Sequence, residues 1–320
     1  MNIVITGGFG FIGSNLMSYY LKKGDNVTVV DNLSTSSNQH VSSICSDQCF
    51  NTHKLKFISL DLSEEGNKTS NAWRELRECL SRSDVVYHLA GSVGVRYIDN
   101  DPRGTLQNTF KINNNMFPLF ECNQCKVIFA STSEVYGDTN NAKETDKLSI
   151  GPPTTLRWGY ACSKLMSEFL LRTYTFPSIV TRFFNVTGKG QLPDHGMVLP
   201  SFIQNAREHT DIIIHGDGKQ TRTFCDIRDA VEMLVLLAQD SGHIDQIYNI
   251  GNPNNTITIH DLATLVIEMT SSKSKIKFTS YQDSFSNEFG EIFHRKPDTE
   301  KIEKIYKSKY NIEDIINSMI

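Results

Sequence analysis

The chain has 320 residues, enough for one large α/β unit or two small domains. Its balance is mildly acidic, with a formal net charge of −4, and its basic residues are dispersed, which argues against a nucleic-acid or membrane-surface partner. No apolar run approaches the length of a membrane span, and "MNIVITGG" enters a strand pattern at once where a leader would show a basic and then an apolar stretch, so a cytoplasmic location is expected.

"NIVIT" is a β-branched run ending in glycines, and "FIGSNLMSYYLKK" after it has helical apolar spacing. Gly24 and Asp25 turn the chain into a second strand, "NVTVV", which ends at Asp31. Residues 32–54 are rich in Ser and Asn and read as a loop. "LKFISLDL" is a third strand, "NAWRELRECLSR" an amphipathic helix and "DVVYHLAG" a fourth strand. A helix within 102–121 contains Pro118, where a kink or break is expected. "KVIFAS", "SIVTRFFNV" and "QIYNIG" are further strands, with the helix "RWGYACSKLMSEFLLRTY" before the second of them. After Val186 the pattern loosens: "HGDGKQTRTFCDIRD" reads as a strand, a tight turn and an extended piece, and a helix begins near Asp229.

Strands alternating with helices at this spacing predict a Rossmann-type α/β fold, a doubly wound parallel sheet of about seven strands. A smaller, interleaved C-terminal substrate domain is expected over 188–216 and 252–320, with 1–187 and about 217–251 forming the cofactor domain. The cysteines (Cys45, Cys49, Cys79, Cys122, Cys125, Cys162 and Cys225) are odd in number and scattered, which is not a disulfide framework. "CNQC" has half the spacing of a zinc site but no second pair or histidine at motif distance, so no metal is expected.

"TGGFGFIG" places Gly7, Gly10 and Gly13 between the first strand and the first helix. In that context the first glycine permits a tight turn, the second lets backbone approach a pyrophosphate, and the third lets helix and strand pack closely. The helix N-terminus then presents N–H groups to the phosphates. Asp31 ends the second strand, where an acid binds the adenosine ribose hydroxyls and repels a 2′-phosphate. No Arg or Lys stands beside it in "VVDNLSTSS", so NAD is favoured over NADP. Asp61 and Leu62, after the third strand, are candidates for the adenine edge. Tyr160 and Lys164 in "YACSK" lie one helical turn apart on one face. A tyrosine serves as a base near neutral pH only if its phenolate is stabilised, and an adjacent ammonium together with an oxidised nicotinamide does this.

In the order "TGGFGFIGSNL", "DNLS", "HLAG", "STSEVYGD", "YACSK", "RFFNV", "GDGKQTRTF" and "NIG", the sequence resembles the extended short-chain dehydrogenase/reductases that modify nucleotide sugars, over nearly its whole length. The resemblance implies NAD on the first domain, with Phe11, Ile12, Asn32, Ser34, Leu89 and Ala90 added to the cofactor contacts, and a nucleotide sugar between the domains. It implies Thr132, Tyr160 and Lys164 as the catalytic trio, Asn185 and Arg222 as holders of the diphosphate, Ser133 and Arg157 as substrate contacts, and a homodimer through helices such as 158–173. The chain departs from the family's habit at "NVTGKG", where Lys189 replaces an expected proline, and it lacks the frequent Gly-Trp segment near its end.

Glu134 follows a strand end in "ASTSEVYGD", where a carboxylate can be a cap, a solvated loop residue or an acid/base group. After oxidation at C4 of the sugar, a 4-epimerase needs no such group, a 4,6-dehydratase needs a base at C5, and a decarboxylase must position the C6 carboxylate. "GPPTTLRWGYACSK" and "HRKPD" resemble segments of the UDP-glucuronate decarboxylases, which implies Arg295 as a catalytic arginine acting with Glu134. Arginine suits a carboxylate because its fork meets both oxygens. Decarboxylation of UDP-glucuronate is therefore expected first, with 4-epimerase and 4,6-dehydratase as alternatives and a non-catalytic NAD sensor as the reading from another class.

Overall fold

The computed structural model describes residues 1–35, 52–64, 68–91, 99–193, 196–280 and 292–320. Most of the loop expected over 32–54, including Cys45 and Cys49, lies outside them. The strands are β1 (Asn2–Thr6), β2 (Asn26–Asp31), β3 (Leu55–Ser59), β4 (Val85–His88), β5 (Val127–Thr132), β6 (Thr139–Ala142), β7 (Ser178–Phe183), β8 (Val186–Thr187), β9 (Ile212–His215), β10 (Thr221–Thr223), β11 (Cys225–Asp226), β12 (Ile247–Ile250), β13 (Thr256–Thr258), β14 (Ile276–Thr279) and β15 (Arg295–Pro297). The helices are α1 (Phe11–Lys23), α2 (Asn71–Leu80), α3 (Pro102–Asn123), α4 (Arg157–Leu171), α5 (Val198–Arg207), α6 (Ile227–Gln239), α7 (Ile259–Met269), α8 (Glu300–Glu303) and α9 (Ile312–Met319).

Seven strands form one parallel sheet in the order β12-β7-β5-β4-β1-β2-β3, a Rossmann-type doubly wound fold. The central strands are unbroken apolar runs because helices cover both of their faces, and every residue of β5 is buried. One apolar cluster packs α1 and α6 on one face, and a second packs α2 and α3 on the other around Trp73 and Phe117. The strand order reverses beside β1 and β4, and the ends of these strands are where an open α/β sheet takes its ligand.

Of the kink or break expected at Pro118, the break does not occur: α3 runs through it to Asn123. An interior proline costs about 3 kcal/mol, whereas each fully buried Phe or Met contributes roughly 1.5–3 kcal/mol. Met116, Phe117 and Phe120 are all fully buried on this stretch, so packing outweighs the local penalty.

A separate apolar cluster joins α5, α7 and α9, and Phe224, just after β10, packs within it. β10 pairs with β13, and β15 pairs with β6, whose other neighbour in sequence is the end of β5. Through that pairing a residue near the end of the chain reaches the C-terminal edge of the main sheet. Cys122 is exposed at the end of α3, while Cys125 is buried with its Sγ 3.7 Å from the Leu80 carbonyl. Among the described residues no helix is long and apolar enough to cross a membrane.

Candidate active site

The cofactor end is shaped by small residues. Gly7 has φ +67°, and a Cβ there would lie 2.9 Å from the backbone of Ala90. A Cβ on Gly13 would lie 2.5 Å from the Gly7 carbonyl oxygen. Gly10 caps α1 without any side-chain bond, so the first-turn N–H groups remain available at the strand ends, beside the partly buried Phe11 and Ile12. Asp31 is fixed by the backbone of its neighbours: Oδ2 accepts from Phe9 N at 3.0 Å and Oδ1 from Leu33 N at 2.8 Å. Each oxygen keeps a second lone pair for a ribose hydroxyl. Asn32 donates to Asp61 at 3.0 Å, and Ser34 N donates back to Asn32 at 3.1 Å, so the residues predicted for the adenosine end form one mesh. Leu89 and Ala90 lie partly buried at the end of β4, facing Gly7. Leu62 has its side chain in the core, and its carbonyl accepts from Asn115 at 2.8 Å. A glycine-lined turn that a single methyl would block, an uncapped helix start and an oriented acid together fit a dinucleotide.

Behind this loop runs a buried polar chain that sequence reasoning missed. His88 lies 2.8 Å from the Thr6 hydroxyl through Nδ1 and 3.0 Å from Asn113 Oδ1 through Nε2. Asn113 donates to Ser167 at 2.7 Å, and Ser167 donates to the Ser163 carbonyl on α4 at 2.7 Å. Burial pushes His88 down to about 4, so it stands neutral.

Tyr160 and Lys164 are both buried on α4, as the helical spacing predicts. Lys164 donates to the Ala130 carbonyl on β5 at 3.0 Å. Burial lowers it to about 8, against the pull of Glu168 one turn further on. Glu168 is itself pinned: Arg182 of β7 donates to it at 3.0 and 2.6 Å, and Ser131 adds a third bond. Burial and the nearby Glu134 raise the Tyr160 phenol, and Thr132 and Arg295 offset part of this. At rest Tyr160 therefore holds its proton.

Glu134 sits in the short 3-10 turn that follows β5 and is buried. Arg295, from β15, donates to its Oε1 at 2.7 Å, and Arg157, from the start of α4, lies 3.4 Å from the same oxygen. Burial alone would raise the carboxyl, but Arg157 and Arg295 overturn that and hold it below its usual range. Burial brings Arg295 down to about 10, opposed by Glu134 and helped by Arg222 and Arg157. Arg295 also donates to Asn185 Oδ1, and Asn185 donates to the Thr223 carbonyl at 2.9 Å. Glu134 Oε2 and the Ser133 hydroxyl are buried without a hydrogen-bond partner among the described residues. Arg222 is close enough to repel Arg295, yet its Nη1 donates to the Ile292 and Thr221 carbonyls, both at 2.8 Å. The structure thus gathers Thr132, Ser133, Glu134, Arg157, Tyr160, Asn185 and Arg295 at one place, with Arg222 at its border.

A dinucleotide cradle, a Tyr–Lys pair on one helix and a buried charge cluster at the sheet's carboxyl edge define an NAD-dependent enzyme of the short-chain dehydrogenase/reductase type. The chain belongs to the NAD-dependent epimerase/dehydratase family, whose sequence profile matches residues 3–251. It is 32% identical over 314 residues to a UDP-N-acetyl-alpha-D-glucosaminuronate decarboxylase of Bacillus cytotoxicus, covering 97% of this chain and 92% of that one. It is 29% identical to UDP-glucuronic acid decarboxylase 4 of Arabidopsis thaliana, covering 95% of this chain and 64% of that longer one. Among solved structures it resembles a UDP-glucuronic acid 4-epimerase from Bacillus cereus in complex with UDP-glucuronic acid and NAD, with a TM-score of 0.83, 26% identity, and coverage of 99% of this chain and 97% of that one.

Proposed function

We propose that the protein decarboxylates a UDP-hexuronate through a 4-keto sugar. The observation that carries this reading is the placing of Arg295, a buried guanidinium held against Glu134 and Asn185 at the carboxyl edge of the sheet, where its fork suits a carboxylate on sugar C6. The Bacillus and Arabidopsis relatives named for uronate nucleotides support the same substrate class.

NAD, when bound, accepts a hydride from C4 of the sugar and later returns it. Tyr160 would release its own proton to solvent once the Lys164 ammonium and the positive charge of oxidised NAD stabilise the phenolate; it then takes the C4 hydroxyl proton, and Thr132 orients the same oxygen. The C6 carboxylate is β to the new ketone, so the C5–C6 electron pair passes to the C4 oxygen as carbon dioxide leaves. Tyr160, carrying its proton again, hydrogen-bonds the resulting enolate. The charge of the carboxylate becomes that of the enolate, and a proton from solvent taken at C5 restores the 4-keto sugar to which the hydride returns. Glu134, held as the anion by its arginines, fixes Arg295 and keeps Oε2 as an acceptor near C5. Asn185 and Arg222 are proposed to meet the diphosphate.

A second reading, 4-epimerisation of the same hexuronate, is favoured by the likeness to the Bacillus cereus epimerase. Incubation with NAD and UDP-glucuronate, UDP-N-acetylglucosaminuronate, UDP-glucose or dTDP-glucose, read by mass spectrometry and NMR, separates the readings. Loss of carbon dioxide from a uronate is expected. An unchanged mass with inverted C4 means an epimerase, and loss of water means a dehydratase.

We also propose a homodimer through α3 and α4, where Leu106, Phe110, Met166 and Phe169 leave apolar side chains exposed. Phe169→Asp should then yield a monomer by light scattering. The free thiols among the described cysteines support a cytoplasmic location.

A further inference from the structure

Asp138 closes the run "STSEVYGD", and no step above uses it. It follows Gly137, which has φ +74° and where an added Cβ would come within 2.8 Å of the Ser149 carbonyl oxygen, so the backbone fixes how residue 138 leaves the turn. Its side chain is 42% exposed, yet its oxygens gather donors from a single distant segment. Oδ2 accepts from Phe293 N at 2.9 Å, Oδ1 accepts from His294 N at 3.0 Å, and His294 Nδ1 lies 3.1 Å from Oδ1. Two consecutive backbone N–H groups directed at one anion are a strong, orienting contact. Thr139 N donates to the His294 carbonyl at 3.0 Å. On its other side the segment is fastened to β10, where Thr221 N donates to the Phe293 carbonyl at 2.9 Å and Arg222 to the Ile292 carbonyl at 2.8 Å. The next residue is Arg295, paired in register with Thr139.

We infer that Asp138 is a positioning residue for the carbon–carbon cleavage step: it clamps residues 293 and 294 to β6 so that Arg295 is delivered to Glu134 and Asn185. Glu134 and Asp138 stand one short turn apart. The run that supplies the anion of the buried ion pair therefore also fixes the strand that supplies its cation. Thr132, Tyr160 and Lys164 are held by other contacts, so the hydride step does not depend on the clamp. The inference rests on the reading of Arg295 as the group that meets the sugar carboxylate.

The test compares Asp138→Ala and Asp138→Asn with the wild type as full-length, NAD-loaded protein. Amide hydrogen exchange over residues 292–297 reports the position of the Arg295 segment whatever reaction the enzyme runs. Single-turnover kinetics with UDP-glucuronate and UDP-N-acetylglucosaminuronate report NAD reduction and carbon dioxide release separately. In Asp138→Ala, exchange over 292–297 should accelerate about tenfold while β5 and α4 stay unchanged. Carbon dioxide release should fall about 10- to 100-fold with NAD reduction kept, because small misplacements of an orienting group cost that much. Asp138→Asn, which keeps one acceptor oxygen, should lie between. Unchanged exchange over 292–297 overturns the inference. So does wild-type carbon dioxide release in Asp138→Ala, or an equal loss of both steps. If the wild type releases no carbon dioxide, the decarboxylase reading fails, and the exchange comparison alone decides whether Asp138 positions Arg295.

Discussion

The two ends of the active site are built from different material. At the cofactor end, one continuous turn and the end of the neighbouring strand do the work. Gly7, Gly10 and Gly13 act by lacking side chains, and Asp31 is oriented by the N–H groups of Phe9 and Leu33. At the sugar end, Glu134, Arg157 and Arg295 come from a loop, a helix and a strand far apart in the chain and meet as buried charges. The first end is specified by shape, so it fails through steric change. The second is specified by the pairing of buried charges, so it fails when one charge is removed.

Tyr160→Phe should give the largest effect, a loss of turnover of about a thousandfold, because acid–base catalysis contributes roughly 10²–10⁴. NAD affinity should hardly change, and a fluorescence titration checks that the cofactor end is untouched. Glu134→Gln keeps the shape and removes the charge. NAD reduction should survive while product formation falls about a hundredfold in a single-turnover assay; full turnover would show that the charge cluster is not what the second step needs.

Lys164→Met probes stability at the join between the ends. Burial lowers Lys164 from 10.5 to about 8, which corresponds to about 3 kcal/mol against the folded state while the lysine is charged. Below pH 8 folded and unfolded chains both hold the proton, and the cost is full. Between pH 8 and 10.5 only the unfolded chain holds it, so this contribution makes the protein more stable as pH rises. Urea titrations of the cofactor-free protein should show Lys164→Met more stable at neutral pH and without that rise. The smallest expected change is Gly13→Ala: a methyl 2.5 Å from a carbonyl oxygen should cost about 1–3 kcal/mol in stability and weaken NAD binding, with the Glu134 cluster intact.

The same contrast decides what the sequence made legible. The glycine turn, Asp31 and the Tyr160–Lys164 pair are local patterns, and each is found where its spacing places it. The Glu134–Arg295 contact spans 161 residues, so no local periodicity points to it; only the resemblance of "HRKPD" did. Glu168 carried a usable signal, since it repeats the helical face of Tyr160 and Lys164 one turn later. Arg182 carried another, a charge inside the apolar run "SIVTRFF", which a buried strand tolerates only with a partner. Asp138 carried none, because its partners are two backbone N–H groups and the His294 ring, all in a distant segment. At Pro118 a local rule predicted a kink or a break, and the helix is not broken there because the aromatic packing around Phe117 and Phe120 outweighs the local penalty.

His88 has a consequence for how the two ends communicate. It links the strand leading into the glycine turn to the helix that bears Tyr160 and Lys164, through Asn113 and Ser167. A histidine in that place could have made the link a proton-driven hinge across the range where cells operate. Burial holds it near 4 instead, so the beam between cofactor and catalyst is insulated from acidity. Of the groups around the catalyst, the one brought nearest the physiological range is then Lys164, at about 8, while the beam of His88, Asn113 and Ser167 stays electrically silent.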